Sequence, residues 1–364
     1  MDVKISNLTL SYGSFLAVKD FSLDIRDGES IVLLGQSGCG KTSTMRCVAG
    51  LEEPDSGVVT IGGRDVFNGQ NRTNIPANKR NVGMVFQSYA VWPHMTVLDN
   101  VSFALKMRKV PGDQVKRKAL ETLEIVGLAH MADKGASLLS GGQMQRVALA
   151  RSLAMEPNVM LLDEPLSNLD ARLRDGLRVE LRRLQLELGL TSIYVTHDQS
   201  EALALADRIA IMQDGRIAQL ATPVEIYRSP ASASIAKFLG VSNVFAITAS
   251  STVPGRVSLR DYALDVHTAS NIPTGDDLSI CIRPEDLRVV RTDVVDEPNS
   301  WAGVVEVAVF QGSYVRCTVR LDAGPMVEVL SYEVGAQALL RGVRVGVKAN
   351  PQDIQILPGN VTER

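Results

Sequence analysis

The segment that most constrains the fold is a glycine-rich stretch, GQSGCGKT, which begins at residue 35 and follows the apolar run at residues 30–34. It fits the pattern G-x-x-x-x-G-K-[ST], and a helical stretch comes after it, so it lies in the strand-loop-helix context that the pattern requires. Glycines allow close backbone approach to an anion, and the amides at a helix amino end face that anion. Such a match arises by chance in on the order of one in a hundred chains of this length. The stretch therefore predicts a phosphate-binding loop within an α/β domain.

Hydrophobic patterns extend the α/β prediction through the first two thirds of the chain. Apolar residues alternate with polar ones at residues 3–10, and again at Phe21, Leu23 and Ile25, which predicts half-buried strands at an antiparallel edge. Continuous apolar runs predict buried strands of a mostly parallel sheet at residues 30–34, 82–86, 159–162 and 192–196. Ligands are expected at the carboxyl ends of these strands.

Helical patterns interrupt this series of strands. They dominate residues 88–157, which predicts a helical insertion, a subdomain of about residues 88–158. Leucines that recur at steps of four and three predict the buried face of one amphipathic helix: Leu169, Leu173, Leu177, Leu181, Leu184 and Leu188. Further on, Asp214 and Gly215 predict a hairpin turn.

The character of the sequence changes after Gly240. Short alternating runs such as VVEVAVF and YVRCTVRL, rich in β-forming residues, predict a small all-β domain. The chain is therefore expected to divide into residues 1–235 and residues 236–364.

Composition and end sequences exclude several classes of function. The net charge of −3 provides no general attraction to a phosphate backbone, so no nucleic-acid partner is expected. The four cysteines lack CxxC spacing, which predicts reduced thiols in a cytosolic protein. The first residues lack a secretory-signal pattern, and no run of about 18 apolar residues occurs. Any membrane association is expected to be peripheral.

Two adjacent acids, Asp163 and Glu164, follow the apolar run at residues 159–162. Adjacent strand residues point to opposite sides, so the two carboxylates can take different roles. An isolated acidic pair after a strand is more often a pair of solvated loop residues. Downstream of a phosphate loop, however, we expect Asp163 to hold Mg²⁺ and Glu164 to activate the water that attacks the γ-phosphate.

A second glycine-lined helix start occurs at LSGGQ, where Ser140 and Gly141 precede a helical stretch. Without the other motifs, this segment would be interpreted as a helix cap. Because the other motifs are present, we interpret it as a second site for a phosphate group. One ATP does not need two such sites from one chain. We therefore expect a head-to-tail homodimer in which this segment covers the nucleotide held by the other subunit.

In this order the motifs resemble those of the ABC ATPase family over roughly residues 1–235. The segment LSGGQ is similar to the family signature, and VMLLDEP is similar to the Walker B strand of the family. The segment from Ser167 to Asp170 is similar to the D-loop. The resemblance implies a P-loop NTPase (RecA-like) core and an ATPase that uses ATP and Mg²⁺. One departure is the segment KGASLLSGGQ, which lacks the proline common there in relatives.

The resemblance also assigns roles to individual residues. It implies that Tyr12 stacks on adenine, that Gln87 senses the γ-phosphate and the metal ion, and that His197 is the switch histidine. The catalytic residues are then Glu164, His197, Gln87 and Lys41, and the Mg²⁺ ligands are Thr42, Gln87 and Asp163. The expected nucleotide contacts are Tyr12, Gly35, Gln36, Ser37, Gly38, Cys39, Gly40, Lys41, Thr42, Ser43, Ser140, Gly141, Gly142, Gln143 and Asp170.

Two further stretches resemble importers of this family. Residues 88–97 are similar to the stretch that helps form the groove for a membrane subunit's coupling helix, although aromatic core packing would explain the same residues. Residues 236–364 resemble the OB-like TOBE barrel domain of importer ATPases for polyamines and ferric iron, with sugar importers more distant. The resemblance implies a homodimer on the cytoplasmic face of the plasma membrane, two permease subunits and a solute-binding protein. A soluble ABC-type machine or a regulatory protein is the alternative.

Overall fold

The protein divides into two compact units, Met1–Ile226 and Tyr227–Arg364. This computed structural model describes residues 1–249, 255–272, 275, 277–290, 297–332 and 339–359. The predicted domain boundary after residue 235 lies nine residues beyond the division between the two units.

The first unit is an α/β structure, as predicted. Its strands are β1 (Val3–Tyr12), β2 (Phe15–Ile25), β3 (Ser30–Gly35), β4 (Ser56–Ile61), β5 (Arg64–Asn68), β6 (Thr73–Asn74), β7 (Val82–Val85), β8 (Val159–Asp163), β9 (Ser192–Thr196), β10 (Arg208–Gln213) and β11 (Arg216–Ala221). Its helices are α1 (Lys41–Ala49), α2 (Val97–Met107), α3 (Gly112–Ile125), α4 (Gly141–Leu153), α5 (Ala171–Leu188), α6 (Gln199–Leu205) and α7 (Pro223–Arg228), of which α7 extends just past the division.

A six-stranded sheet, ordered β11-β10-β3-β9-β8-β7, positions the candidate site. All its neighbouring strands are parallel except the β10–β11 hairpin. All six residues of β3 are buried, because helices or sheets cover both faces of a central parallel strand. Leu34 pairs with Thr196 of β9, and Asp163 of β8 pairs with Val195. The carboxyl ends of β3, β8 and β9 therefore meet at one edge of the sheet.

The predicted antiparallel edge and hairpin are also present. A second sheet has the order β2-β1-β4-β5-β6, with β1 and β2 antiparallel and β2 at the edge. Asp214 and Gly215 connect β10 to β11 with φ angles of 49° and 82°. Positive φ at both central residues is the requirement of a type I′ turn, whose twist matches the flanking strands.

The predicted helical insertion consists of α2, α3 and α4, between β7 and β8. Helix α2 begins after Thr96, whose side chain accepts a hydrogen bond from the Asp99 amide. Helix α4 begins after Ser140, which forms a capping box with Gln143. These caps satisfy amides that would otherwise lack partners at the first turn.

The predicted buried leucine face of α5 is confirmed in the middle of the helix and was wrong at its carboxyl end. Leu177 and Leu184 are buried, at 3% and 4% exposure, whereas Leu188 is 40% exposed. Leu169 is buried but precedes the helix, which begins only after Asp170. Leu188 is exposed because it is the last helical residue, next to the left-handed Gly189 at which the helix ends.

The second unit is all-β apart from α8 (Ala233–Phe238) and short turns among its described residues. Its strands are β12 (Asn243–Ala249), β13 (Arg256–Leu259), β14 (Asp265–His267), β15 (Leu278–Ile282), β16 (Leu287–Val290), β17 (Ser300–Phe310), β18 (Val315–Leu321), β19 (Met326–Ser331), β20 (Arg344–Ala349) and β21 (Gln355–Pro358). They form two antiparallel sheets, β14-β13-β12-β15-β21 and β16-β20-β17-β18-β19. Side chains from both sheets, such as Ile280 and Val305, share one hydrophobic core.

The described part of the chain contains no helix of the length and hydrophobicity needed to cross a membrane. The cysteines are unpaired and buried: Cys39, Cys47, Cys281 and Cys317.

Two leucines of α5 provide a matched test of this packing. Leu177→Ala should lower the free energy of unfolding by about 2–5 kcal/mol, because it removes a buried side chain and leaves a cavity. Leu188→Ala should lower it by clearly less, since 40% of that residue is already exposed. Urea unfolding of both variants checks this, and equal losses would contradict the burial assigned to the helix.

Candidate functional site

The loop between β3 and α1 is shaped by glycines that no other residue could replace without movement of the backbone. Gly40, the residue before α1, has a φ angle of 98°, and a Cβ atom there would lie 2.4 Å from the Ala17 carbonyl oxygen. A Cβ atom on Gly35 would lie 2.4 Å from the Met212 carbonyl oxygen. The loop is thus held close to its neighbours, and the first amides of α1 lack side-chain caps. Free amides at a helix amino end are suited to an anion.

Lys41 is buried at the base of this loop. Its Nζ donates hydrogen bonds to the Gly35 and Gln36 carbonyl oxygens, both at 2.8 Å, and lies 3.7 Å from Cys39 Sγ. Burial raises the pKa of the Cys39 thiol. The ammonium group is therefore a charged donor kept beside the loop, while the thiol has the character of a small apolar side chain.

A hydrogen bond joins α1 to the end of β8. Thr42 Oγ1 donates to Asp163 Oδ1 at 3.0 Å, and burial raises the pKa of Asp163, although this hydrogen bond opposes the shift. A buried carboxylate next to a hydroxyl is a hard oxygen set of the kind that Mg²⁺ prefers. These two residues therefore fit the predicted metal site, and a nearby cation would favour the ionised form of Asp163.

Glu164 has an unusual backbone conformation, with a φ angle of 42°. A non-glycine residue in this region costs on the order of 1–3 kcal/mol and persists only where its surroundings impose it. Here the Glu164 amide donates to the Val195 carbonyl oxygen at 3.0 Å, and the Glu164 carbonyl oxygen accepts from Ser167 Oγ at 2.9 Å. These contacts fix the direction of the carboxylate at the edge of the sheet.

Three predicted catalytic residues meet at this carboxylate. Gln87 Nε2 donates to Glu164 Oε2 at 3.2 Å, and His197 Nδ1 lies 3.1 Å from Glu164 Oε1. The Glu164 side chain is 20% exposed and that of His197 is 60% exposed. The carboxylate is thus oriented by two neighbours and remains accessible to water.

The sequence analysis placed Ser167 and Asn168 in a stretch similar to the D-loop but assigned neither of them a contact at this site. Ser167 Oγ lies 3.4 Å from Gln87 Nε2, and Asn168 Nδ2 donates to the Gln87 carbonyl oxygen at 2.8 Å. They fix Gln87 at both its side chain and its backbone. Their short polar side chains, directly after the acidic pair, were the available signal.

A buried carboxylate beneath His197 was also missed. Glu201 accepts hydrogen bonds from Tyr194 Oη at 3.0 Å and from Thr196 Oγ1 at 2.7 Å, and burial raises its pKa. Asp198 caps α6 through the Ser200 and Glu201 amides. These contacts fix the corner between β9 and α6 from which His197 projects.

The remaining predicted nucleotide contacts lie around this centre or are used within the fold. Tyr12 is exposed, and its Oη lies 3.4 Å from Ser43 Oγ on α1. Gln36, Ser37 and Gly38 are exposed at the tip of the phosphate loop. Asp170 is the N-cap of α5 and accepts a hydrogen bond from the Leu173 amide at 3.0 Å. An adenine contact by Tyr12 and a nucleotide contact by Asp170 stay predictions.

The LSGGQ segment forms the amino end of α4. The Gln143 amide donates to Ser140 Oγ at 3.4 Å, and the Ser140 amide donates to Gln143 Oε1 at 3.0 Å. A Cβ atom on Gly142 would lie 2.9 Å from Leu173 Cδ2 and one on Gly141 would lie 3.0 Å from Leu169 Cδ2. No described hydrogen bond joins this segment to the phosphate loop of the same chain, so the second predicted phosphate site stays separate within one copy.

A groove of about 610 Å³ lies between β7, the segment after Gln87 and the helical insertion. Its lining includes the large apolar residues Met84, Phe86, Trp92, Phe103, Met107 and Met155, beside polar ones such as Asn81 and Arg108. The Trp92 and Phe103 rings contact each other in a tilted arrangement, with centroids 4.6 Å apart and 53° between the ring planes. Aromatic packing and a groove therefore occur in the same stretch, for which the sequence left both interpretations open.

Comparisons with known proteins show which sequences and structures the chain is similar to. The family model described as "ABC transporter" matches residues 18–167, and the "TOBE domain" model matches residues 280–357. The chain is 46% identical to the spermidine/putrescine import ATP-binding protein PotA of Thermobifida fusca, over 94% of this chain and 89% of the relative. It is 45% identical to the Fe(3+) ions import ATP-binding protein FbpC of Rhizobium etli, over 89% of each chain.

A solved structure is also similar. The ATP-binding cassette MJ0796, in a dimeric post-hydrolysis state bound to ADP and Pi, aligns with a TM-score of 0.53 and 31% identity. The alignment covers 61% of this chain and 98% of that chain.

Proposed function

Because the chain belongs to the ABC transporter family, we propose that it is the ATP-binding and ATP-hydrolysing subunit of an importer. The observation that carries the proposal is the Glu164 carboxylate, oriented by Gln87 and His197 at the sheet edge that also holds the phosphate loop. The relatives are import proteins by name, and no specific feature favours a soluble ABC-type machine instead.

The phosphate loop holds the nucleotide in this proposal. Amides at the start of α1 and Lys41 Nζ donate hydrogen bonds to the phosphate oxygens. Thr42 and Asp163, with Gln87, hold Mg²⁺, which when bound neutralises charge on the phosphates. Lys41 would exchange its present carbonyl partners, Gly35 and Gln36, for phosphate oxygens.

Glu164 orients the attacking water and accepts its proton. A carboxylate within hydrogen-bond reach of a water suffices for this general-base role. Gln87 and His197 keep the carboxylate in one orientation and add polar groups where the γ-phosphate would lie. Proton transfer requires the base to lie within hydrogen-bond reach of the water. The strained backbone at Glu164 therefore has a functional rationale, because it fixes the direction of the carboxylate.

A second copy of the chain completes each site in the proposed assembly. Ser140, Gly141 and Gly142 form a helix amino end that is not joined to the phosphate loop of its own chain, and the similar cassette MJ0796 is dimeric. In a head-to-tail dimer, this end of α4 covers the nucleotide held by the partner, and twofold symmetry gives two sites. Closure around ATP and release after hydrolysis would drive transport.

The groove beside the helical insertion is the proposed contact with the membrane permease subunits. Its methionines and aromatic rings suit an apolar helix face, because methionine adapts to irregular surfaces. The chain would then be a peripheral protein on the cytoplasmic face of the plasma membrane, and a solute-binding protein would deliver the solute. Polyamines and ferric iron are the candidate solutes, since the named relatives divide between them.

Glu164→Gln tests the hydrolytic role. It preserves shape but removes the base, so turnover should fall about 100- to 10,000-fold while ATP binding is retained. Lys41→Ala should instead weaken ATP binding, because it removes a charged donor to the phosphates. Steady-state hydrolysis and nucleotide titration separate the two effects, with Glu124→Gln, an exposed acid of α3, as the control. Turnover within a few-fold of the parent for Glu164→Gln would rule out Glu164 as the base.

A charge placed in the groove tests the proposed permease contact. Met107 lines the groove and is 68% exposed, so Met107→Asp should fold but should reduce the recovery of membrane proteins that co-purify with the tagged chain. Val179→Asp, at a 73% exposed position of α5 away from the groove, should leave that recovery unchanged. Equal recovery with both variants would remove the groove as the contact.

A further inference from the structure

The segment directly after Gln87 has a strained backbone. Tyr89 and Ala90 have φ angles of 61° and 49°, two successive non-glycine residues in the left-handed region. This region brings the Cβ atom close to the following carbonyl oxygen and is visited mainly by glycine. The Tyr89 side chain is buried, whereas Ala90 is exposed. A contact from elsewhere in the fold must therefore hold the two residues in this conformation.

Arg151 provides that contact. Its Nη1 donates to the Ala90 carbonyl oxygen at 2.6 Å and its Nη2 to the Tyr89 carbonyl oxygen at 3.0 Å. Its guanidinium carbon lies 4.7 Å from the centre of the Trp92 ring. Among the described residues no carboxylate forms an ion pair with Arg151, and burial lowers the pKa of its guanidinium. The planar fork of an arginine matches two such acceptors, which a lysine ammonium does not.

The position of Arg151 connects two parts of the proposed active site. It lies in the last turn of α4, the helix whose amino end carries Ser140, and the next residue, Ser152, donates to the Met84 carbonyl oxygen at 2.8 Å. On the other side of the strained segment, Gln87 contacts Glu164 and Asn168. Helix α4 therefore contacts the Tyr89 and Ala90 carbonyl oxygens, and these residues closely follow Gln87. The Gln87 carboxamide in turn contacts Glu164.

The far end of the segment is anchored independently. Asn100, which is fully buried, accepts from the Trp92 amide at 2.9 Å and donates to the Trp92 carbonyl oxygen at 3.1 Å. Because Trp92 is fixed on α2, we expect a change at Tyr89 and Ala90 to displace the Gln87 side of the segment.

We propose that Arg151 is a positioning residue for hydrolysis: by holding Tyr89 and Ala90 in the left-handed conformation, it keeps the Gln87 carboxamide on Glu164. This rests on the proposed ATPase function. In this proposal Arg151 acts through the Tyr89 and Ala90 carbonyl oxygens and not on the reacting atoms. Its role couples the placement of α4, which carries the LSGGQ segment, to the orientation of the base.

The test measures steady-state ATP hydrolysis by the full chain. Arg151→Gln should lower kcat about 10- to 100-fold with little change in KM, because a small misplacement of an orienting group affects the chemical step. Arg151→Lys should be intermediate. The double variant Arg151→Gln/Ala90→Gly should recover part of the kcat lost in Arg151→Gln, because glycine adopts positive φ without a Cβ penalty. Arg117→Gln, at an exposed position of α3, is the control and should match the parent.

A structural role alone would give a different pattern. Arg151→Gln with a parental kcat, or an absence of any rescue by Ala90→Gly, would overturn the proposal. If Arg151→Gln fails to fold, Ala90→Val decides the matter, because a β-branched residue disfavours positive φ at an exposed position without touching α4. It should lower kcat in the same way, and an unchanged kcat would overturn the proposal. A parent chain without turnover would contradict the proposed function as well.

Discussion

The hydrogen bond from Thr42 to Asp163 is the interaction on which the arrangement of the site depends. It joins the helix that starts at the phosphate loop to Asp163, the last residue of β8, which Glu164 directly follows. Because β3, β8 and β9 are parallel and in register, their carboxyl ends place Gly35, Asp163 and the residues after Thr196 at one edge. The sheet thus assembles the site from segments far apart in the sequence, as is general for open α/β sheets.

Backbone strain recurs where the chemistry is proposed to occur. Glu164, Tyr89 and Ala90 all have positive φ angles, and each is held by hydrogen bonds from other elements. Each such residue costs on the order of 1–3 kcal/mol. Strain at the proposed base and in the segment after Gln87 therefore fits an orientation maintained at the expense of stability. If Arg151 acts as proposed, a movement of α4 would change the placement of Gln87.

Sequence patterns predicted much of this structure because they report local physical constraints. The glycine-rich loop, the buried run of β3 and the Asp214-Gly215 turn each have a signature at fixed spacing. Leu188 was assigned wrongly because periodicity does not reveal where a helix ends. Contacts such as that of Arg151 with Ala90 could not be predicted, since they join residues 61 positions apart whose conformations have no local signal. The same holds for Glu201, a buried acid whose partners become evident only when β9 and α6 pack.

The proposed mechanism depends on the sharing of each ATP site between two copies of the chain. This sharing is tested most directly by mixing a Lys41→Ala chain with a Gly141→Asp chain and isolating mixed dimers through two different tags. Each damaged chain alone would leave both shared sites defective, whereas a mixed dimer has one intact site. Mixed dimers should show about half of the parental hydrolysis, given twofold symmetry and independent sites. Mixed dimers that form in the presence of ATP but hydrolyse no more than either variant alone would contradict the sharing of the sites.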